Sequence, residues 1–277
     1  MFLSLLCFSS PILSSPIRIC FATTPGETCA LDDIGLFMGK VIENRDRLRG
    51  LLTHYSHYEK EDVLMVDQDG RTVFGYRGIY RWTFLEDGIP VRVPQELNGK
   101  KLSEEDKEKH RQRWLKAMED EKDRRKRFKD NRDLFLNAPF DPENYFFAGF
   151  EALDGRHLVK VENVPRSAEK AENEMDKILQ GASVLMWIDP DTFQIIRLEM
   201  SHLNLEVFSA LKLFVHIEEA SLQLNMKDFN EEIWLPSDLS FQASVKTFEN
   251  VLSLQYKTTY YDYGKFTVSS EIEFKEK

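Results

Sequence analysis

The sequence predicts an α+β domain. A large curved antiparallel sheet forms an unclosed half-barrel, helices cover its concave face, and a long charged helix is inserted. Three observations predict this. Apolar and polar residues alternate along at least five closely spaced segments of the last hundred residues. Residues 31–52 carry apolar side chains at helical spacing, and residues 102–133 are dominated by charge. Closely spaced strands leave no room for crossover helices, so neighbours pair antiparallel rather than building a doubly wound fold.

The chain has 277 residues, 42% of them apolar, and a formal net charge of −10. That length suits one large β domain, and the apolar fraction is enough for a sizeable core, which excludes a wholly disordered chain. No apolar run is long enough for a membrane-spanning helix, so a helical channel or transporter is excluded. The acidic balance argues against nucleic-acid binding, which needs basic groups to displace counterions from phosphates. The charge is uneven: residues 100–133 hold 14 Lys and Arg against 10 Asp and Glu, which leaves the remainder more acidic than the whole.

Residues 1–22 read as a secretory leader, with Cys20 and Ala22 as the small residues before cleavage at Thr23. The leader lacks a basic start, and Arg18 interrupts its apolar stretch. Cleavage removes Cys7 and Cys20 and leaves Cys29 alone, so residues 23–277 form no internal disulfide and depend on their core. The residues before Cys7 and Cys20 do not suit lipid attachment. Cys29 has no surrounding motif and reads as a small hydrophobe.

From Leu31 to Leu52 the stripe is Leu36, Val41, Ile42, Leu48, Leu51 and Leu52, with Met38 off it and Asp32 or Asp33 as the cap. Asp67-Gln68-Asp69-Gly70 and Glu86-Asp87-Gly88 are turn sequences. Between them Tyr80, Trp82 and Phe84 alternate with Ile79, Arg81 and Thr83, the period of a strand with one apolar face. Ser103 followed by Asp106 starts the charged helix of about 102–133, whose thin apolar stripe is Trp114, Leu115, Met118 and Phe128. Its i,i+4 pairs, such as Glu105–Lys109, each contribute about 0.2–0.5 kcal/mol. The segment Arg124-Arg125-Lys126-Arg127 is a candidate contact for an envelope protein partner or, at most peripherally, for membrane headgroups. Mixed charge on the rest of the helix reads as a solvated face.

A hairpin follows, Tyr145–Phe150 turning at Asp154-Gly155 into His157–Val161, and then a short helix over Ala168–Leu179. The closing strands are Val184–Ile188, the segment with Ile196, Leu198 and Met200, a stretch from Leu211 to Met226, and segments through Leu239–Val245 and Leu252–Tyr260.

Catalytic signatures are missing: no G-x-G-x-x-G, Walker loop, nucleophile elbow or H-E-x-x-H occurs. His54 and His57 would share a face on a helix, but their surroundings read as a strand, which sets them on opposite faces. No metal and no cofactor is expected, and the carboxylates mark out no general acid and base. The distinctive feature is aromatic content, 20 Phe, 9 Tyr and 4 Trp. The concave face of an unclosed sheet is filled by covering helices or by an apolar ligand. Alternation nominates Tyr80, Trp82, Phe84, Phe146, Phe150, Trp187, Leu198, Leu213, Leu224 and Phe241 as candidate cavity residues.

Several segments carry a family resemblance. They are Tyr80–Pro90, Leu153–Arg156, Met186–Thr192 with Arg197–Glu199, Glu232–Ser237 and Tyr261–Phe266. In this order the chain resembles the lipoprotein-localisation carrier (LolA/LolB-like) superfamily, and within it uncharacterised bacterial proteins described as outer-membrane lipoprotein-sorting proteins. The resemblance implies an exported half-barrel with a helical lid, no cofactor and no enzymatic activity. Its expected role is a periplasmic carrier of a lipid or lipoprotein acyl chain. The alternatives are an envelope structural or protein-interaction module and, behind it, an envelope hydrolase. The long charged helix departs from the small carriers, and no motif transfers carrier residues position by position.

Overall fold

The computed structural model describes residues 33–52, 54–85, 90–127, 144–153, 155–163, 178–179, 181–204, 216–229, 233–247 and 250–265, with the side chains of the charged helix described as far as Met118. The expected leader, the turn at 86–88, most of the short helix of 168–179 and the strand start at 211–215 lie outside these residues.

Strands β1 (Tyr55–Val66), β2 (Thr72–Phe84), β3 (Pro90–Leu97) and β4 (Lys100–Lys101) form an N-terminal meander. A second meander runs through β5 (Tyr145–Leu153), β6 (Arg156–Asn163), β7 (Ser183–Ile188), β8 (Ile195–Ser201), β9 (His216–Phe229), β10 (Ile233–Lys246) and β11 (Val251–Lys265). Antiparallel pairing of β1 with β11 joins the two into one 11-stranded sheet with β4 and β5 at its rims. The sheet is an unclosed half-barrel, as the sequence predicts.

Local chemistry sets the turns. Asp67 Oδ1 accepts from the amides of Asp69 and Arg71 at 2.9 and 2.8 Å, which closes the β1–β2 turn around Gly70 at positive φ. Asp189 Oδ1 accepts from the amides of Asp191 and Thr192 and turns the chain between β7 and β8.

Helix α1 (Ile34–Leu52) starts where Asp33 Oδ1 caps the Leu36 amide at 2.9 Å. Phe37, Met38 and Val41 are buried against Val159, Val161, Val184, Met186, Leu198, Leu222 and Leu224. Farther along, Leu48, Leu51 and Leu52 pack on Tyr55, Ile233 and Leu235. Burying side chains such as Phe37 and Met38 contributes about 1.5–3 kcal/mol each. The stripe is rotated from the one expected: Met38 is fully buried, whereas Leu36 is 47% exposed. Ile34, Phe37, Met38 and Val41 follow the i, i+3, i+4, i+7 spacing, and Leu36 falls beside that line.

The charged segment forms α2 (Glu104–Arg127) and docks on β3. Ser103 Oγ accepts from the Asp106 amide at 3.2 Å and donates to Asp106 Oδ2 at 2.7 Å, the expected start. Trp114, Leu115 and Met118 are half-buried, and Trp114 Nε1 donates to the Pro90 carbonyl at 2.8 Å.

A buried polar clamp fixes the approach to β7. Asn163 Nδ2 donates to the Ala182 carbonyl at 3.1 Å, and its Oδ1 accepts from the Val184 amide at 2.7 Å. Asn163→Leu leaves both backbone groups without partners, so chemical denaturation should show a loss of about 2–4 kcal/mol.

Candidate functional site

The inner face of the sheet changes character across its width. Under α1, strands β6–β10 present aliphatic side chains in a closed core. Ladder pairs carry this face onward: Ala243 lies beside Leu254, Phe241 beside Tyr256, and Leu239 beside Thr258. Next, Val63 lies beside Tyr256, Glu61 beside Thr258, and Glu59 beside Tyr260. On β2 the neighbours of Val63, Glu61, Glu59 and His57 are Tyr76, Gly78, Tyr80 and Trp82. Arg92 of β3 stands beside Trp82 and completes the band. The aliphatic floor thus becomes aromatic and then charged within a few strands.

The charged centre is a buried network. Glu59 is 4% exposed, and it accepts from Arg92 Nε and Nη2 at 3.0 Å each and from Trp82 Nε1. Arg92 Nη2 also donates to Glu61 Oε2 at 2.9 Å. The guanidinium lies over the Tyr80 ring, with Cζ 3.5 Å from the centroid, so one face of the cation meets π density while its edge meets carboxylates. Burial works against the Arg92 charge, but the hydrogen bonds and attraction of Glu59 and Glu61 outweigh it and raise its pKa. Two carboxylates against one guanidinium leave the cluster with a formal excess of one negative charge.

Neutral phenols surround that centre. Burial raises the pKa values of Tyr80, Tyr260 and Tyr263 and pushes that of Tyr256 up to about 12. Tyr76 and Tyr80 share a hydroxyl–hydroxyl hydrogen bond, and Tyr263 Oη donates to the Pro236 carbonyl at 2.7 Å. His57 lies 4.9 Å from Tyr263 and 5.7 Å from Tyr260 between ring centroids, and stacks on Trp82 at 6.1 Å. Burial lowers its pKa to about 4, so the imidazole is neutral near pH 7. Trp114 of α2 closes the far side, edge-on to Trp82 at 5.7 Å. Gly78 is required by this packing, since a Cβ there would stand 2.5 Å from Tyr80 Cε2 and 2.8 Å from Tyr76 Oη.

The arrangement offers hydrogen bonds, ring faces and a fixed charge beside an apolar surface. No acid–base pair stands free in it, because Arg92 holds both carboxylates.

The sequence-nominated residues divide by face. Tyr80, Trp82, Phe84, Phe150, Leu198, Leu224 and Phe241 lie on the inner face. Leu198 and Leu224 are sealed in the core, whereas Trp82, Phe84, Phe150 and Phe241 are half-buried. Phe146 lies on the outer face, 43% exposed, because the bulge at Gly149 (φ 125°) shifts the alternation and brings Phe147 inward with Phe150. Trp187 is also on the outer face, flanked by Arg197 at 4.9 Å and Lys160 at 5.1 Å, with Nε1 donating to Glu151 at 2.8 Å. Its neighbours Met186 and Ile188 point inward instead, so the run Val184–Ile188 is apolar on both faces. Leu213 lies outside the described residues, as do the side chains of Arg124, Arg125, Lys126 and Arg127 at the end of α2.

Alternation did not single out Glu59, Glu61 and Arg92, because β1 carries polar residues on both faces through His57-Tyr58-Glu59-Lys60-Glu61-Asp62. The available signal was Arg92 itself, a lone cation between Val91 and Val93 and two positions from Pro90.

Removing Arg92 with Arg92→Met should destabilise the fold by about 3–5 kcal/mol, because the buried Glu59 and the half-buried Glu61 lose their cation. Urea unfolding should show partial recovery when Glu59→Gln is added. The His57 pKa makes a separate prediction. The unfolded imidazole takes up a proton below about pH 6.5, whereas the folded one resists until about pH 4. Stability should therefore fall as pH drops from about 6.5 to 4, and His57→Phe should flatten that part of the pH–stability curve.

No family model and no curated protein matches the chain. Among solved structures it is similar to a DUF1329 family protein from Desulfovibrio piger, at 12% identity and a TM-score of 0.35 over 86% of this chain and 96% of that one. It is similar to a LolA superfamily protein from Nitrosomonas europaea at 11% identity and 0.33, over 86% and 97% of the two chains. A Vibrio parahaemolyticus domain named for outer-membrane lipoprotein sorting matches at 12% identity and 0.31, over 84% and 95%.

Proposed function

We propose that this is a non-enzymatic, exported binding protein that holds a lipid or the acyl chain of a lipoprotein on the inner face of its sheet. The observation that carries this reading is the strip between the two helices. Leu239, Phe241 and Leu254 are half-buried there, next to the aromatic band of Tyr256, Tyr260 and Trp82 and the Glu59–Arg92–Glu61 network. An apolar chain on this strip would gain about 0.8 kcal/mol per buried CH₂. Its polar end would meet the phenols and the charged network. Export to the periplasm is supported by the leader-like composition of residues 1–22 and by the sequence resemblance.

An envelope protein-interaction module is the alternative. It is favoured by α2, which docks through Trp114, Leu115 and Met118 and leaves Glu104, Glu105, Glu108, Arg113 and Lys116 exposed.

Native mass spectrometry of protein isolated from exporting cells should show a bound lipid, and the apoprotein should take up a fluorescent fatty acid. Phe241→Asp should reduce that uptake at least about tenfold, since burying a carboxylate in an apolar site costs more than 1.4 kcal/mol. A protein that carries no lipid and takes up no fatty acid would falsify the proposal.

A further inference from the structure

A second site lies at the opposite side of α2. Asn98 and Gly99, both at positive φ (49° and 79°), make the tight β3–β4 turn that folds Lys100 and Lys101 back along β3. Ser103 then starts α2, and the helical repeat presents Asp106, Lys109, His110 and Arg113 along the side that faces the hairpin. The hairpin and the helix border an open cavity of about 260 Å³, with Leu97 and Leu102 as its apolar lining. Lys100, Lys101, Lys109, His110 and Arg113 all border it, in a chain whose net charge is −10.

The acids nearby do not balance the three lysines and Arg113. Asp106 is the one carboxylate among the described lining residues, and Ser103 Oγ already donates to it at 2.7 Å. Glu105, itself exposed, pairs with Lys109 at 2.6 Å at the margin of the cavity, and Glu96 stands opposite Lys101 in the ladder. Lys100, Lys101 and Arg113 form no ion pair within 4.0 Å among the described residues. A planar guanidinium fork together with point-charge ammonium groups around a small cavity is the donor set that a phosphoryl group takes.

We propose that this cavity is a phosphoryl-anion site, in which Arg113, Lys100 and Lys101 hold the oxygens. The site is independent of any lipid on the inner face. The phosphoryl group belongs either to a soluble phosphate or to a phospholipid headgroup, and the two sources separate by experiment.

Inorganic phosphate titrated into the full chain, followed by amide and side-chain NMR shifts, should give a saturable response centred on residues 97–113. The double variant Lys100→Gln/Arg113→Gln should weaken it at least about tenfold, as expected for lost charge-assisted hydrogen bonds. Circular dichroism should be unchanged, since both side chains are at the surface. Flotation with phosphatidylglycerol vesicles, compared with phosphatidylcholine vesicles, identifies the source. Binding to the anionic vesicles that the double variant loses assigns a headgroup, and a phosphate response without vesicle binding assigns a soluble phosphate. The proposal is overturned by no saturable phosphate response, by an equal response to sodium chloride at matched ionic strength, or by a response that the double variant retains.

Discussion

The ladder between β1 and β11 is the contact on which the rest of the architecture depends. It pairs a strand from the start of the described chain with one from its end, Tyr55 opposite Lys265 through Val66 opposite Ser253. Each half is a meander whose strands find their neighbours locally, so this pairing carries the long-range closure. Such a contact is slow to form, because the chain entropy of a very long loop is lost before the ladder stabilises anything. Once formed, it makes one continuous inner face out of two, which neither meander could present alone.

The polar band sits on that seam. Glu59 and Glu61 belong to β1, Tyr256 and Tyr260 to β11, and Arg92 arrives through β2 and β3. Placing a charge cluster there has a physical consequence beyond any ligand. An ion network built around the buried Glu59 is unforgiving of register errors, because a slip by one residue would turn Glu59 outward and strand Arg92 without its carboxylates. The aliphatic half under α1 supplies most of the burial, and the charged half supplies positional discrimination. Gly78 fits the same logic: its missing side chain leaves room for the Tyr80 ring beneath the guanidinium.

Much of the sheet was legible in the sequence because period-2 alternation is a direct image of a half-buried antiparallel strand. Leu222 and Leu224, or Leu239, Phe241 and Ala243, face the inner side as their spacing requires. The reading failed where a residue is inserted into a strand. The bulge at Gly149 exchanges Phe146 for Phe147, and a bulge shifts the β7–β8 register between Trp187 and Ile188. Trp187 was ambiguous for another reason, since a strand covered on both faces has no alternation to read. The site was less legible than the fold. Helix α2 was recognisable from its cap and charge, but Arg92 meets Glu59 and Glu61 across two ladders, and pairing of that order leaves no trace in local spacing.

An open sheet has two rims, and each is a template for another strand. The β4 rim is short and cationic, two lysines long, so an incoming backbone would find almost nothing to bond and would meet like charge if it were a second copy. The β5 rim is longer and aromatic, but Gly149 kinks it in the middle, which breaks the regular row of amides and carbonyls that an added strand would need. The bulge that misdirects a reading of Phe146 therefore also acts as a guard against aggregation: the inner face stays open while the edges of the sheet discourage growth into a fibre.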